Sequence, residues 1–119
     1  MKRILIIDDS IVSRKMLRKL FESEGFEVAG EAINGKEGYE QYVKLSPDVV
    51  TMDITMPEMN GIESLRLIKE HDPDAKVILL TAAGQLEKKA EADELGAAAY
   101  LTKPYENKEI IDAIKNCQN

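Results

Sequence analysis

Short apolar runs separated by longer segments of mixed polarity set the rhythm of this chain. Ile4 to Ile7, Val49 to Met52 and Val77 to Leu80 are near-continuous and rich in β-branched side chains. They are too short for buried helices and read as strands covered on both faces. Weaker runs around Phe26 to Gly30 and Ala97 to Leu101 complete a predicted set of five strands. Between and after them, apolar residues recur at helical spacing: Val12, Met16 and Leu20, then Tyr39, Tyr42 and Val43, then Ile62, Leu65 and Ile68. A fourth stripe is sparse, with Leu86, Ala90 and Leu95, and a fifth carries Ile110, Ile111 and Ile114. Gly25 and Gly96 follow helical patterns, where a left-handed residue closes a helix, while Asn34-Gly35 and Asn60-Gly61 stand at helix starts.

Five βα units in succession predict an α/β fold: a doubly wound, five-stranded parallel sheet with right-handed crossovers and helices on both faces. The expected strand order, 2-1-3-4-5, is that of flavodoxin-like (βα)5 folds, since the alternation by itself does not fix which strands are neighbours. No repeat, linker or low-complexity segment interrupts the alternation, so residues 1–119 are read as a single domain. Ligands on such sheets bind beyond the carboxyl ends of the strands. Asp8 and Asp9 directly follow the first strand, and Asp53 ends the run DVVTMD, so all three carboxylates are expected at that edge.

Three carboxylates held together repel one another, and a hard divalent cation resolves the conflict. Magnesium suits an all-oxygen set better than zinc, with manganese as a substitute. The lone histidine, His71, falls in a different loop and reads as a solvated helix-end residue. Magnesium usually uses only one or two protein carboxylates, which leaves a third for chemistry, and Asp53 is the candidate. A carboxylate can attack phosphorus to form an acyl phosphate, in a transition state stabilised by cations and hydrogen-bond donors. Thr81, ending VILLT, and Lys103, before Pro104, offer a hydroxyl and an ammonium at the same sheet edge. Pro104 fixes the turn after the lysine, with a cis Lys-Pro bond as one way of doing so.

Composition narrows the partners. At 119 residues and 44% hydrophobic, the chain supports one core with no room for a separate output module. A formal charge of -6, with no dense Lys/Arg run, argues against nucleic acid or an anionic membrane surface. The start MKRILIIDD lacks a signal-peptide core and no stretch approaches a membrane span, so a cytoplasmic location is expected. One cysteine, Cys117, excludes an internal disulfide and a Cys-rich zinc site and reads as an unremarkable free thiol. Met52, Met56 and Met59 flank the Asp53 loop, but the first two read as packing residues and copper binding is not expected.

Singly, each of these polar residues has a bland explanation: an Asp after a strand is often a helix cap, and Thr at a strand end or Lys before Pro is commonplace. Their order is distinctive. IDDS, then MDITMPEMNGIE, then LLTA, then YLTKP, with βα periodicity between them, resembles the receiver domain of two-component response regulators over the entire chain.

The resemblance implies that Asp53 is the phosphoacceptor for a histidine kinase. It implies Asp9 as a direct magnesium ligand, Asp8 acting largely through bound water, and the backbone carbonyl of Thr55 completing the set. Lys103 would pair with Asp53 and then with a phosphoryl oxygen, while Thr81 would move inward and make room for Tyr100. The surface so altered comprises the fourth helix, fifth strand and fifth helix, with Lys88, Lys89, Glu91, Tyr100, Glu106 and Lys108 as candidate contacts. Thr55 and Ala83 would line the approach of water, and their small size implies a short-lived phosphate, helped in some settings by a phosphatase partner. Such a protein is a signalling switch that takes part in its own phosphorylation, and is not an enzyme acting on a separate substrate.

Within the family, the Tyr100 position and the phrase TMDITMPEMNG look most like stand-alone chemotaxis regulators that signal to the flagellar motor switch. A single-domain phosphorelay intermediate of the sporulation type is the alternative. Two other classes fit less well. Aspartyl-phosphate hydrolases place two aspartates one residue apart after the first strand, whereas here they are adjacent, and a flavodoxin needs a hydroxyl- and glycine-rich loop where this chain has DDSIVS.

Overall fold

A computed structural model of the protein describes residues 2–56, 59–82 and 86–117, and in helix α4 it leaves the side chain of Leu86 undescribed. Strands and helices alternate: β1 (Arg3–Ile7), α1 (Ile11–Ser23), β2 (Glu27–Ala32), α2 (Gly35–Leu45), β3 (Val49–Asp53), α3 (Gly61–His71), β4 (Val77–Ala82), α4 (Leu86–Leu95), β5 (Ala99–Lys103) and α5 (Asn107–Lys115). All neighbouring strands pair in parallel, in the order β2-β1-β3-β4-β5 expected of a flavodoxin-like sheet.

The central strands read as unbroken apolar runs because their alternate residues enter two different cores. Leu5, Ile7, Val50, Met52, Val77 and Leu79 meet Tyr42, Ile62, Leu65, Ile68 and Ala92 on the side covered by α2, α3 and α4. Ile4, Ile6, Val49, Ile78 and Leu80 meet Leu17, Phe21, Ile110, Ile111 and Ile114 of α1 and α5 on the other. The edge strands β2 and β5 are covered less completely, which is why their sequence signals are weak. Both lie further along the chain than the weak runs placed them, and β5 reaches Lys103 itself.

Three helix faces differ from the spacing-based expectation. In α1, Val12 and Met16 are 64% and 67% exposed, and the core-facing pair is Leu17 and Phe21. Both stripes have helical spacing, and burying the larger area of Phe21 decides the rotation, at roughly 2–3 kcal/mol for that ring. In α2, Tyr42 is buried and Tyr39 packs against the same core as expected, but Val43 is exposed; in α4 the buried residue among the described side chains is Ala92 rather than Ala90. The stripes of α3 and α5 lie where their spacing puts them. Gly25 and Gly96 both take φ near +87°, the left-handed closure expected after α1 and α4. Asn34 and Asn60 cap α2 and α3, their side chains accepting from Glu37 N and Glu63 N.

Candidate functional site

The ends of β1 and β3 set three carboxylates together. Asp8 continues the ladder past β1, its N–H donating to Ala32 O at 3.0 Å. The α1 cap is Ser10, whose hydroxyl accepts from Ser13 N, so neither aspartate is consumed as a helix cap. Asp8 Oδ1 accepts from Ser10 N at 2.8 Å. Asp53 is the last residue of β3, and the chain then turns back tightly: Gly61 N donates to Ile54 O at 2.8 Å, and a Cβ at Gly61 would lie 2.5 Å from Asp53 O. Any side chain there would push the Asp53 loop out of place. One carboxylate oxygen from each of Asp8, Asp9 and Asp53 lies within 4.8 Å of the others.

Asp8 is 2% exposed, Asp53 is half-buried and Asp9 is open to solvent. Burial pushes the carboxyls of both Asp8 and Asp53 above their ordinary value. The N–H of Ser10 and the Lys103 charge oppose the shift at Asp8, while the Asp53 and Asp9 charges reinforce it. At Asp53, Lys103 and the backbone N–H groups of Thr55 and Ile54 oppose it, and Asp9 reinforces it. Ionised carboxylates this close, two of them withdrawn in part from solvent, fit a hard divalent cation bound by oxygen, which would favour their charged forms.

Lys103 Nζ stands 3.6 Å from Asp53 Oδ2, and the Lys103-Pro104 bond is cis. Thr81 is 1% exposed and its hydroxyl has no hydrogen-bond partner among the described residues. Alternation along β4 puts Thr81 on the face of Leu79, and Tyr100, half-buried, packs against that same core from β5, where it pairs with Leu79. Thr55 is exposed beside the cluster, whereas Ala83 lies outside the described residues. The carboxylates, ammonium and buried hydroxyl together have the makings of a nucleophile, a cation site and an oxygen-binding pair for a phosphoryl group.

Two residues escaped sequence reasoning. Arg14 donates from Nη1 to Asp8 O at 2.7 Å and from Nε to Glu31 Oε1 at 3.0 Å. No one-dimensional spacing connects Arg14 to Glu31 on the edge strand. Tyr105 is half-buried, and its phenol is raised by burial and then by the Asp8 and Asp53 charges, which places it near the acidic site. Its position just after Lys103-Pro104 was the available signal. Elsewhere, His71 is exposed at the end of α3, as expected, but its ring also stands edge-on to Tyr39 and Tyr42. Met52 and Met56 are core residues. Cys117 is a buried free thiol donating to Ala113 O. Of the expected surface contacts, Lys89 and Lys108 pair with Asp93 and Asp112, and Glu106 forms a capping box with Glu109. Among the described residues, no helix is long and apolar enough to cross a membrane.

Comparison with known proteins agrees with this geometry. The model of the response regulator receiver domain matches residues 4–115. The chemotaxis protein CheY of Thermotoga maritima is 47% identical, over 95% of this chain and 94% of that protein. Sporulation initiation phosphotransferase F of Bacillus subtilis is 39% identical, over 96% of this chain and 91% of that protein. Among solved structures, the CheX-CheY-BeF3-Mg+2 complex from Borrelia burgdorferi superposes with a TM-score of 0.90 at 35% identity, covering 95% of this chain and 86% of that one. The chain belongs to the response regulator receiver domain family of two-component signalling, with CheY-like proteins among its relatives.

Proposed function

We propose that this chain acts, as a single receiver domain over residues 1–119, by accepting a phosphoryl group onto Asp53 from a histidine kinase in the cytoplasm. The observation that carries the reading is the meeting of three carboxylate oxygens within 4.8 Å with an ammonium 3.6 Å from one of them. An Asp53 oxygen attacks phosphorus as the bond from phosphorus to the kinase imidazole breaks, leaving an acyl phosphate. Asp9, Asp8 (largely through water), Asp53 itself and the Thr55 carbonyl would hold magnesium or manganese. The ion supplies charge neutralisation for the phosphoryl oxygens. Lys103 then pairs with a phosphoryl oxygen, and the buried Thr81 hydroxyl, which has no partner among the described residues, gains an acceptor.

The modification adds about -1.5 to -2 charge at one point. Thr81 and Tyr100 share a face of the sheet, so a rotation at Thr81 frees space for the ring and changes the α4–β5–α5 surface. The CheY relatives favour chemotaxis as the output; in that reading a flagellar motor-switch protein would receive the signal and a phosphatase would end it.

A second reading has its own support. Ile11, Val12 and Met16 leave an apolar face of α1 exposed. Met16 and Leu20 also line a groove of about 600 Å³ with Pro104 and Tyr105. That surface suits a phosphotransfer partner, and one relative is a sporulation phosphotransferase. Binding of a motor-switch peptide with and without beryllofluoride separates the two. Enhanced binding with beryllofluoride supports chemotaxis; efficient reverse transfer to a phosphotransferase histidine, with no enhanced peptide binding, supports the relay.

A further inference from the structure

We infer that Arg14 is a positioning residue for the acidic site, fixing through the Asp8 carbonyl the loop that carries both Asp8 and Asp9. The inference rests on the magnesium reading above. Arg14 lies in the first turn of α1, and its side chain is only 12% exposed. Its Nη1 grips Asp8 O at 2.7 Å, the shortest of the three hydrogen bonds that hold Asp8 among the described residues. The others are Asp8 N to Ala32 O and Ser10 N to Asp8 Oδ1. That carbonyl belongs to the peptide joining Asp8 to Asp9, so holding it sets the direction in which the Asp9 backbone leaves.

The guanidinium is itself held. Its Nε donates to Glu31 Oε1 at 3.0 Å, and Arg18 Nε donates to the other oxygen, Glu31 Oε2, at 2.7 Å. Glu31 sits on β2 opposite Ile6 of β1, so the anchor is part of the sheet. A side chain clamped at both ends loses little further freedom when the site is loaded, which is what preorganisation requires.

Two effects of Arg14 on a bound cation have opposite signs. Its positive charge opposes cation binding, while its grip on the loop favours it. Arg14 and Arg18 share Glu31, and Arg18 also pairs with Glu22, so two carboxylates compensate two guanidiniums locally and geometry is left as the larger effect. Removal of Arg14 therefore weakens magnesium binding, although it leaves the neighbourhood of the site more negative. Charge alone demands the reverse.

The test is calorimetric titration of magnesium into the wild-type chain, Arg14→Gln and Arg18→Gln. The two variants lose the same charge from the same ion-pair cluster, but only Arg14 touches the loop. We expect Kd for magnesium to rise about 10-fold in Arg14→Gln, the low end for partners outside the ligand set. In Arg18→Gln it should stay within about twofold. The gain in thermal midpoint on adding magnesium should shrink in the same order, whatever the midpoints of the metal-free proteins. If Arg14→Gln does not fold, Arg14→Lys against Arg18→Lys carries the same comparison, since a single ammonium cannot reproduce the two-ended clamp. Equal or tighter magnesium binding in the Arg14 variant, or equal weakening in both, overturns the inference while leaving the metal reading intact. A wild-type chain that binds no magnesium overturns both.

Discussion

Lys103 and Asp53 come from the ends of different strands and meet at 3.6 Å between Nζ and Oδ2, beside the carboxylates of Asp8 and Asp9. Burial raises the Asp53 carboxyl, and Lys103 is the strongest influence opposing that rise. Lys103→Met keeps an unbranched stem and removes the cation. The Asp53 carboxyl, followed by NMR titration, should then move further up. Labelling by a small phosphodonor should slow by about 100-fold or more, the scale typical for losing one fixed partner of developing charge. An unchanged rate would remove Lys103 from the chemistry.

Asp8 should cost the metal-free protein stability at neutral pH. Its folded-state carboxyl is raised, so the native chain holds that proton more tightly than the unfolded chain does. The stabilising effect of protonation is fully present below the ordinary value of 3.8 and is lost as pH rises through the raised folded value. Asp8→Asn keeps an acceptor for Ser10 N without the charge. In EDTA at pH 7 it should gain on the order of 1 kcal/mol, with the gain fading toward pH 4. Denaturant melts at the two pH values read this directly, and with magnesium added the advantage should fall or reverse.

Thr51 and Thr81 pose the same physical problem and should separate by function. Each has a buried hydroxyl with no partner among the described residues. Valine replaces that hydroxyl with a methyl of similar shape, and each Thr→Val change should stabilise the unmodified protein by about 1 kcal/mol, or roughly 3–6 °C in thermal midpoint. Thr51→Val should leave the response to beryllofluoride intact. Thr81→Val should keep amide shifts in the Asp53 loop and lose those at Tyr100. Shifts at Tyr100 that survive in Thr81→Val would break the proposed link between the two residues.

The fold was legible because β1, β3 and β4 are apolar on both faces, as fully covered strands are, and the helical stripes between them call for parallel crossovers. The carboxylates were legible because residues that directly follow such strands emerge together at one edge. The rotation of α1 was not. Val12-Met16-Leu20 and Leu17-Phe21 are both helical stripes, and the space between Ile4, Ile6 and the α5 isoleucines, filled best by Phe21, selects the second, with Leu20 packed at its margin. Arg14 was hidden for a similar reason. Its partners, Asp8 O and Glu31, become neighbours only when β2 lies beside β1, and a backbone carbonyl leaves no mark in the sequence. Tyr105 sat in plain view beside Lys103-Pro104, but its relation to the Asp8 and Asp53 charges depends on where the β5–α5 turn points.

The central claim is that Asp53 takes the phosphoryl group. Incubation with acetyl phosphate and magnesium, followed by intact-mass measurement, reads it without a kinase. We expect one phosphoryl group per chain in the wild type, none in Asp53→Asn, and none in the wild type with EDTA in place of magnesium. Undiminished labelling of Asp53→Asn, or labelling indifferent to the metal, would refute it.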